Sequence, residues 1–214
     1  GKWSEFNEPR DMAKFILGTK AETLSRLGKM VKLAYIPDQI SFDVRAWTES
    51  KTTLIEDIFA KFRGATLAVR SSAQSEDSFH DSKAGAYNSV LNVECSADHI
   101  ETAVDKVISS YENCSLSDQV LVQKMLKDVK LSGVIFTRIL DNGAPYISIN
   151  FEESGKTDGI TSGLSKENSI YYFFKDDSYV NSCGFIEKKF EKIIKAVKEI
   201  ETLFKSKVSA VTHV

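Results

Sequence analysis

The chain has 214 residues, of which 42% are hydrophobic and 27% charged, and its formal net charge is −2 at pH 7. This composition is typical of a soluble globular protein, and a net charge so close to zero gives no bulk attraction to nucleic acid or to a membrane surface. No apolar run approaches the roughly 18 residues of a membrane span. We therefore expect neither nucleic acid nor a membrane among its partners.

The cysteines are three in number and widely spaced, at Cys95, Cys114 and Cys183, with no C-x-x-C pair. This pattern argues against a disulfide framework and against a zinc site, and it suits a reducing compartment. Residues 1–11 lack a signal-peptide core. We therefore expect a cytoplasmic protein.

The first predicted helix begins near Lys20. Thr19 and Glu22 have the spacing of a capping box, and apolar residues from Leu24 to Val31 follow at helical spacing. A cation in the first turn opposes the helix dipole, at a cost of about 0.3–1 kcal/mol. A phosphate bound at that helix end would make the same charge favourable. Spacing alone favours the simpler interpretation, in which Lys20 points into water.

Residues 67–93 are predicted to form a strand, a polar loop and a second strand. Residues 67–69 form a short apolar run that indicates a buried strand, and Arg70 follows where that strand is expected to end. The loop is rich in hydroxyls and carboxylates, and Gly85 interrupts it. Such a loop, anchored by an arginine, can bind a phosphate. A solvated hairpin loop fits the composition equally well.

The apolar pattern and one polar segment predict two lobes. Residues 54–62 and 99–111 carry apolar stripes typical of helices packed on a core. The polar segment 113–118 is the best candidate boundary, so we expect one domain over residues 1–115 and a second over residues 116–214.

The second domain is predicted to be rich in strands and to end in a helix. Asn142 and Gly143 form a turn dipeptide that predicts a hairpin. Residues 186–205 carry one apolar stripe and one lysine-rich face, which predicts a long amphipathic helix. The predicted strands are residues 119–126, 131–138, 144–151 and 169–175.

Several of these stretches resemble the N-terminal nucleotide-binding domain of the phosphoenolpyruvate synthase and pyruvate phosphate dikinase family. The family order V-R-S-S-A, E-D, S-x-A-G, L-N-V is matched within residues 69–93. Its V-Q-K-M and S-G-V-x-F-T are matched at residues 122–125 and 132–137. Its Gly-Gly-Lys is matched at residues 18–20, with Thr19 in place of the second glycine.

The resemblance implies an α+β fold of the ATP-grasp class, with two α/β lobes and a nucleotide cleft between them. It implies ATP as the nucleotide and Mg²⁺ as the metal, with Lys20 and Arg70 in the catalytic role of binding phosphate. The strand over 122–125 would lead to the adenine, although Gln123 is open to a simpler interpretation as an outward strand residue. The implied nucleotide-binding residues are Lys20, Arg70, Ser71, Ser72, Glu76, Asp77, Gly85, Gln123, Lys124, Met125, Leu126 and Asp158.

The loop over residues 152–163 falls where the family has G-x-G-E followed by a further glycine. Gly155, Asp158 and Gly163 keep that spacing, with aspartate in place of glutamate. A carboxylate there suits Mg²⁺, and a plain turn is the competing interpretation. The family's next motif, D-x-E-W-A or similar, supplies further carboxylates. We expect this chain to be truncated before it, so that the main metal ligands lie beyond Val214 and the chain alone is inactive.

The function that the resemblance implies is that of an ATP-dependent phosphotransferase, a dikinase similar to phosphoenolpyruvate synthase. ATP would phosphorylate a swivelling histidine in a phosphohistidine domain of the full-length chain, and an acceptor domain of the same chain would hold the final substrate. None of His80, His99 and His213 lies in a matching motif.

The acceptor is left open by the sequence. Pyruvate is the default of the family, but the departures at Thr19, Asp38 and Lys83 indicate a divergent branch. A kinase that acts on the amide of glutamine for modification of a surface polysaccharide (capsule) is one alternative. A non-catalytic nucleotide sensor is another, and Lys20 and Arg70 argue against it.

Overall fold

The computed structural model describes residues 18–73, 89–139, 141–152, 169–175 and 188–212. Helices and strands mix along the chain, and the strands pair in antiparallel sheets, as the α+β prediction requires. Among the described residues no helix is both long and apolar enough to span a membrane. The elements, in chain order, are α1 (Lys20–Leu27), β1 (Gln39–Asp43), α2 (Val44–Phe62), β2 (Thr66–Ser72), β3 (Val90–Glu94), α3 (Ala97–Ile108), β4 (Gln119–Lys124), β5 (Ser132–Phe136), β6 (Tyr146–Glu152), β7 (Ser169–Phe174) and α4 (Lys188–Thr212).

The chain divides into two compact units. The first consists of Gly1–Met30, Tyr35–Met125 and Ser206–Val214, and the second of Val31–Ala34 and Leu126–Lys205. Within the second unit, the Glu199 carboxylate of α4 accepts hydrogen bonds from the backbone amides of Lys32 (3.0 Å) and Leu33 (2.9 Å). A side chain of the last helix therefore holds the short segment that joins α1 to β1.

The first unit is built on a four-stranded antiparallel sheet with the order β1-β4-β2-β3. Because successive residues of a strand point to opposite faces, each strand contributes alternate side chains to one apolar face. Helices α2 and α3 cover that face. The core includes Phe42, Leu67, Val69, Val93, Val120 and Val122 of the sheet, with Trp47, Ile58, Ile100 and Val104 of the helices.

Helix α2 begins ten residues earlier than the predicted start at Leu54. The Asp43 side chain caps it, because Oδ1 accepts a hydrogen bond from the Ala46 amide at 2.7 Å. Ser50 departs from helical geometry (φ −140°, ψ 36°) and divides α2 into two segments. The sequence prediction found the segment with the clearer apolar stripe and missed the capped one before it.

The predicted domain boundary at 115/116 differs from the division in the structure. Strand β4, assigned by that boundary to the second domain, lies between β1 and β2 in the first sheet, and the two units part after Met125. The polar segment 113–118 is a turn within the first unit, where the Asp118 carbonyl accepts from the Val44 amide at 2.9 Å. The residues that favour turns are the same in a loop within one domain and in a boundary between two domains, so composition does not distinguish them.

The second unit is built on a three-stranded antiparallel sheet with the order β5-β6-β7. One face packs on α4, and Phe190 lies against the rings of Phe151 (5.1 Å between centroids) and Tyr171 (5.3 Å). Gly133 lets β5 approach β6 closely, since a Cβ there would lie 2.5 Å from the Asn150 carbonyl oxygen. The predicted hairpin between β5 and β6 is confirmed, with Gly143 at φ +69° in its turn.

Candidate functional site

The candidate site lies on the face of the first sheet that is opposite the apolar core. We call it the polar sheet face. Directly paired residues of antiparallel strands share a face, so the pairing register defines its members. They include Gln39, Ser41 and Asp43 of β1, Ala68, Arg70 and Ser72 of β2, and Gln119, Leu121 and Gln123 of β4. The resemblance named Arg70, Ser72 and Gln123 among these as nucleotide-binding residues.

The N-terminus of α1 is bonded to this face. The Ser72 hydroxyl accepts a hydrogen bond from the Ala21 amide at 2.9 Å. The Gln39 side chain donates from Nε2 to the Ala21 carbonyl at 2.7 Å. Ala21 itself is fully buried. Two strands therefore fix the first turn of the helix that carries Lys20.

The predicted capping box is confirmed, and one residue from another strand completes it. Thr19 Oγ1 accepts from the Glu22 amide (3.4 Å), and Glu22 Oε2 accepts from the Thr19 amide (3.2 Å). Gln119 joins both side chains. Its Oε1 accepts from the Thr19 hydroxyl at 2.6 Å, and its Nε2 donates to Glu22 Oε1 at 3.2 Å.

Glycine is required directly before the box. Gly18 has φ +72°, and a Cβ at that position would lie 1.7 Å from Glu22 Oε2. The matched glycine of the Gly-Thr-Lys stretch therefore makes room for the Glu22 carboxylate. No local signal in the sequence indicated Gln39 or Gln119, because both act across a large sequence separation.

This arrangement changes the expectation for a phosphate at the helix end. A helix N-terminus binds anions through amides that lack an intrahelical partner. Here the amides of Ala21 and Glu22 already donate to protein oxygens, and the Glu22 carboxylate adds negative charge beside them. A phosphate at this place would be met by side chains such as that of Lys20 rather than by a bare helix end.

Arg70 lies on the polar sheet face, two residues before Ser72 on β2, a separation of about 6.5–7 Å between Cα atoms. Its side chain is partly buried, and its Nε atom is buried without a hydrogen-bond partner in the described part of the chain. A buried donor without a partner costs about 1–3 kcal/mol, so this geometry favours an acceptor that is not among the described residues, such as a bound anion. Arg70 and the helix of Lys20 therefore meet on one surface.

Strand β2 does not end at Arg70 as the sequence predicted. It continues through Ser71 and Ser72, and both serines are buried. Ser71 pairs with Val120 and lies on the opposite face from Arg70 and Ser72. The two adjacent serines therefore have different surroundings, and only Ser72 lies on the polar sheet face.

The end of β4 places the predicted adenine-binding residues in different environments. Gln123 is buried on the polar sheet face, where its Nε2 donates to Gln39 Oε1 at 3.5 Å, so it is not an outward strand residue. The Met125 amide donates to the Thr66 carbonyl at 2.8 Å and is not available to a base in this arrangement. Lys124 and Leu126 are exposed.

Four predicted site residues, Glu76, Asp77, Gly85 and Asp158, lie outside the described residues. Within residues 18–73, 89–139, 141–152, 169–175 and 188–212, no group of three or more His, Cys, Asp or Glu side chains is placed to hold a metal ion. The Mg²⁺ expectation at Asp158 stays a prediction.

The sequence model of one protein family, described as "Pyruvate phosphate dikinase, AMP/ATP-binding domain", matches residues 16–202. Among solved structures, the chain is similar to the crystal structure of PH1788 from Pyrococcus horikoshii Ot3, with 15% sequence identity and a TM-score of 0.45. That similarity covers 94% of this chain and 82% of the other, and at this level it says nothing about function. No curated protein matches the sequence.

Proposed function

Because the chain belongs to the family of the AMP/ATP-binding domain of pyruvate phosphate dikinase, we propose that it binds ATP on the polar sheet face, with Lys20 and Arg70 at the phosphates. The observation that carries this proposal is the buried Arg70 Nε, which has no hydrogen-bond partner among the described residues. The guanidinium offers further donors in a planar fork that suits phosphate oxygens. The ammonium of Lys20 supplies a second positive charge from α1.

We propose that the adenine lies beside the end of β4. The backbone of Lys124 and Leu126 is the better candidate for reading the base edge, since the Met125 amide is bonded to Thr66. Gln123 then acts indirectly, because its side chain bonds to Gln39, which in turn bonds to the first turn of α1. Ser72 also acts indirectly, because its hydroxyl accepts a hydrogen bond from the Ala21 amide in the first turn of α1.

The family also supports the finer parts of this proposal. The two units would be the two lobes of an ATP-grasp fold that hold the nucleotide between them. Glu76, Asp77 and Gly85 would contribute to the phosphate-binding segment, and Asp158 would hold Mg²⁺. The reaction would be phosphoryl transfer from ATP to a histidine of another domain and then to an acceptor, with positioning and charge stabilisation supplied here.

The test measures ATP binding by this chain. Ligand-observed NMR is the method, because it detects weak complexes. We expect Arg70→Ala to weaken binding at least about tenfold, the loss of one or more charge-assisted hydrogen bonds. Arg63→Ala is the matched control. Arg63 is exposed in the same unit, and its substitution removes the same charge. Equal affinities for the wild type and Arg70→Ala would exclude Arg70 from the site.

Identifying the acceptor requires the full-length protein that the proposal implies. Conversion of ATP to AMP is followed with pyruvate and with glutamine as separate acceptors. Turnover with one of them identifies the branch of the family. ATP binding without any AMP formation across a broad acceptor set supports the sensor alternative, and it leaves the proposed binding residues unaffected.

A further inference from the structure

A buried carboxylate of the second unit lies where no cation among the described residues neutralises it. Glu152, the last residue of β6, is 3% exposed. It pairs with Ser132 of β5, and the Ser132 hydroxyl donates to Glu152 Oε1 at 3.4 Å. In the part of the second unit that the structure describes, no lysine, arginine or histidine forms an ion pair with Glu152.

A second carboxylate of the same unit shows the usual solution. Glu201 of α4 is partly buried, with 19% of its side chain exposed, and it is paired with Lys175 and, at 3.6 Å, with Lys205. An ionised carboxylate removed from water needs a cation or several strong donors, and one long hydrogen bond from a neutral hydroxyl does not replace them. Among the described residues, Glu152 therefore lacks the compensation that Glu201 has.

Asn150 provides an independent observation at the same place. It lies two residues before Glu152 on β6, and alternation puts both side chains on the face opposite Phe151 and α4. Its Oδ1 atom is buried and accepts no hydrogen bond from any described residue. Two buried oxygens that lack sufficient donors thus lie on one face of one strand, with the Ser132 hydroxyl beside one of them.

We propose that Glu152, Asn150 and Ser132 bind a hard divalent cation of the Mg²⁺ or Ca²⁺ type. A carboxylate, an amide carbonyl and a hydroxyl are all oxygen ligands, which such cations prefer, and water completes the coordination. A single carboxylate predicts weak affinity. The site is built from residues of the second unit alone and does not require nucleotide, so it shares no residue with the proposed ATP contacts on the first sheet.

The test is titration of the nucleotide-free chain with MgCl₂ and, separately, with CaCl₂. The backbone amide signals in two-dimensional NMR report the binding. We expect saturable shifts at the amides of Ser132 and of residues 150–152. Glu152→Gln removes the carboxylate charge from the proposed ligands and is expected to weaken the binding at least about tenfold. Glu94→Gln is the matched control, because Glu94 also ends a strand and its side chain is 76% exposed.

Two results would overturn the proposal. One is the absence of saturable shifts with either cation in the wild type, and the other is equally tight cation binding by the wild type and Glu152→Gln. If Glu152→Gln does not fold, the wild-type titration and Asn150→Ala decide the question. ATP binding is measured on separate samples, so a failed cation titration leaves the proposed nucleotide site untouched.

Discussion

The two sheets are alike on one face and different on the other. Each packs an apolar face against helices. The opposite face of the first sheet carries amide side chains and Arg70, and hydrogen bonds tie it to α1. The opposite face of the second sheet presents large hydrophobic side chains that are 38–60% exposed, at Phe136, Tyr146, Ile170, Tyr172 and Phe174.

The difference shows which feature of a sheet points to function. Among the described residues, Arg70 Nε and Asn150 Oδ1 are the buried side-chain atoms without a hydrogen-bond partner. One belongs to each sheet, and each lies on the face away from the core helices. Buried polar atoms in proteins are nearly always satisfied. These two exceptions therefore mark the candidate sites better than burial or exposure of apolar groups does.

The largest expected effect comes from the apolar face of the second sheet. Phe190→Ala should destabilise the second unit by about 3–5 kcal/mol, because Phe190 is 1% exposed and its ring contacts Phe151 and Tyr171. The measurement is amide hydrogen exchange of β6, compared with that of β4 in the first unit. Phe136→Ala is the control on the opposite face, where the ring is 38% exposed, and it should cost clearly less.

Faster exchange confined to β6 would show that the units unfold separately. Equal loss of protection in β4 and β6 would show a single cooperative structure. Equal cost of Phe190→Ala and Phe136→Ala would contradict the contrast between the two faces of this sheet.

An intermediate effect is expected where α1 meets the first sheet. Ser72→Ala leaves the Ala21 amide without its acceptor and should cost about 1–3 kcal/mol, with faster hydrogen exchange at Ala21. Ser71→Ala is the matched control, since Ser71 lies next in sequence but on the opposite face. It should leave exchange at Ala21 unchanged. Acceleration by both substitutions to the same degree would contradict the assignment of the two serines to different faces.

The sequence predicted the parts of this site that depend on near neighbours. The capping box joins Thr19 and Glu22, which are three residues apart, so its spacing is visible in the chain. The hairpin at Asn142 and Gly143 is local in the same sense. The resemblance to the dikinase family added the positions of Lys20 and Arg70, which composition and spacing alone did not separate from solvent-exposed or loop residues.

The parts that the sequence did not predict depend on distant pairing. Gln119 meets Thr19 across 100 positions, and Ser72 meets Ala21 across 51. The place of β4 in the first sheet is also set by pairing with β1 and β2 rather than by its own composition. A period-2 pattern predicts a strand but not its neighbours, which is why both the domain boundary and the end of β2 were misplaced.

The smallest expected effect concerns ion pairs and depends on pH. Burial alone would raise the pKa of Glu201, but the hydrogen bond and charge of Lys175, together with Lys205, outweigh burial and hold that pKa below its usual value. A carboxyl with a lowered pKa in the folded state contributes stability that is complete above its unfolded pKa. That contribution is lost as the pH falls through the folded pKa. Glu201→Gln should therefore remove part of the acid sensitivity of the second unit.

The comparison for Glu201 is the ion pair of Lys51 with Glu101 in the first unit, where the two side chains are 36% and 46% exposed. Exposed pairs contribute about 0–1 kcal/mol, so Glu101→Gln should change stability little at pH 7. The measurement is hydrogen exchange of both units between pH 7 and pH 3, for the wild type and both variants, after correction for intrinsic rates. Parallel acid profiles for the wild type and Glu201→Gln would mean that other carboxyls control the second unit.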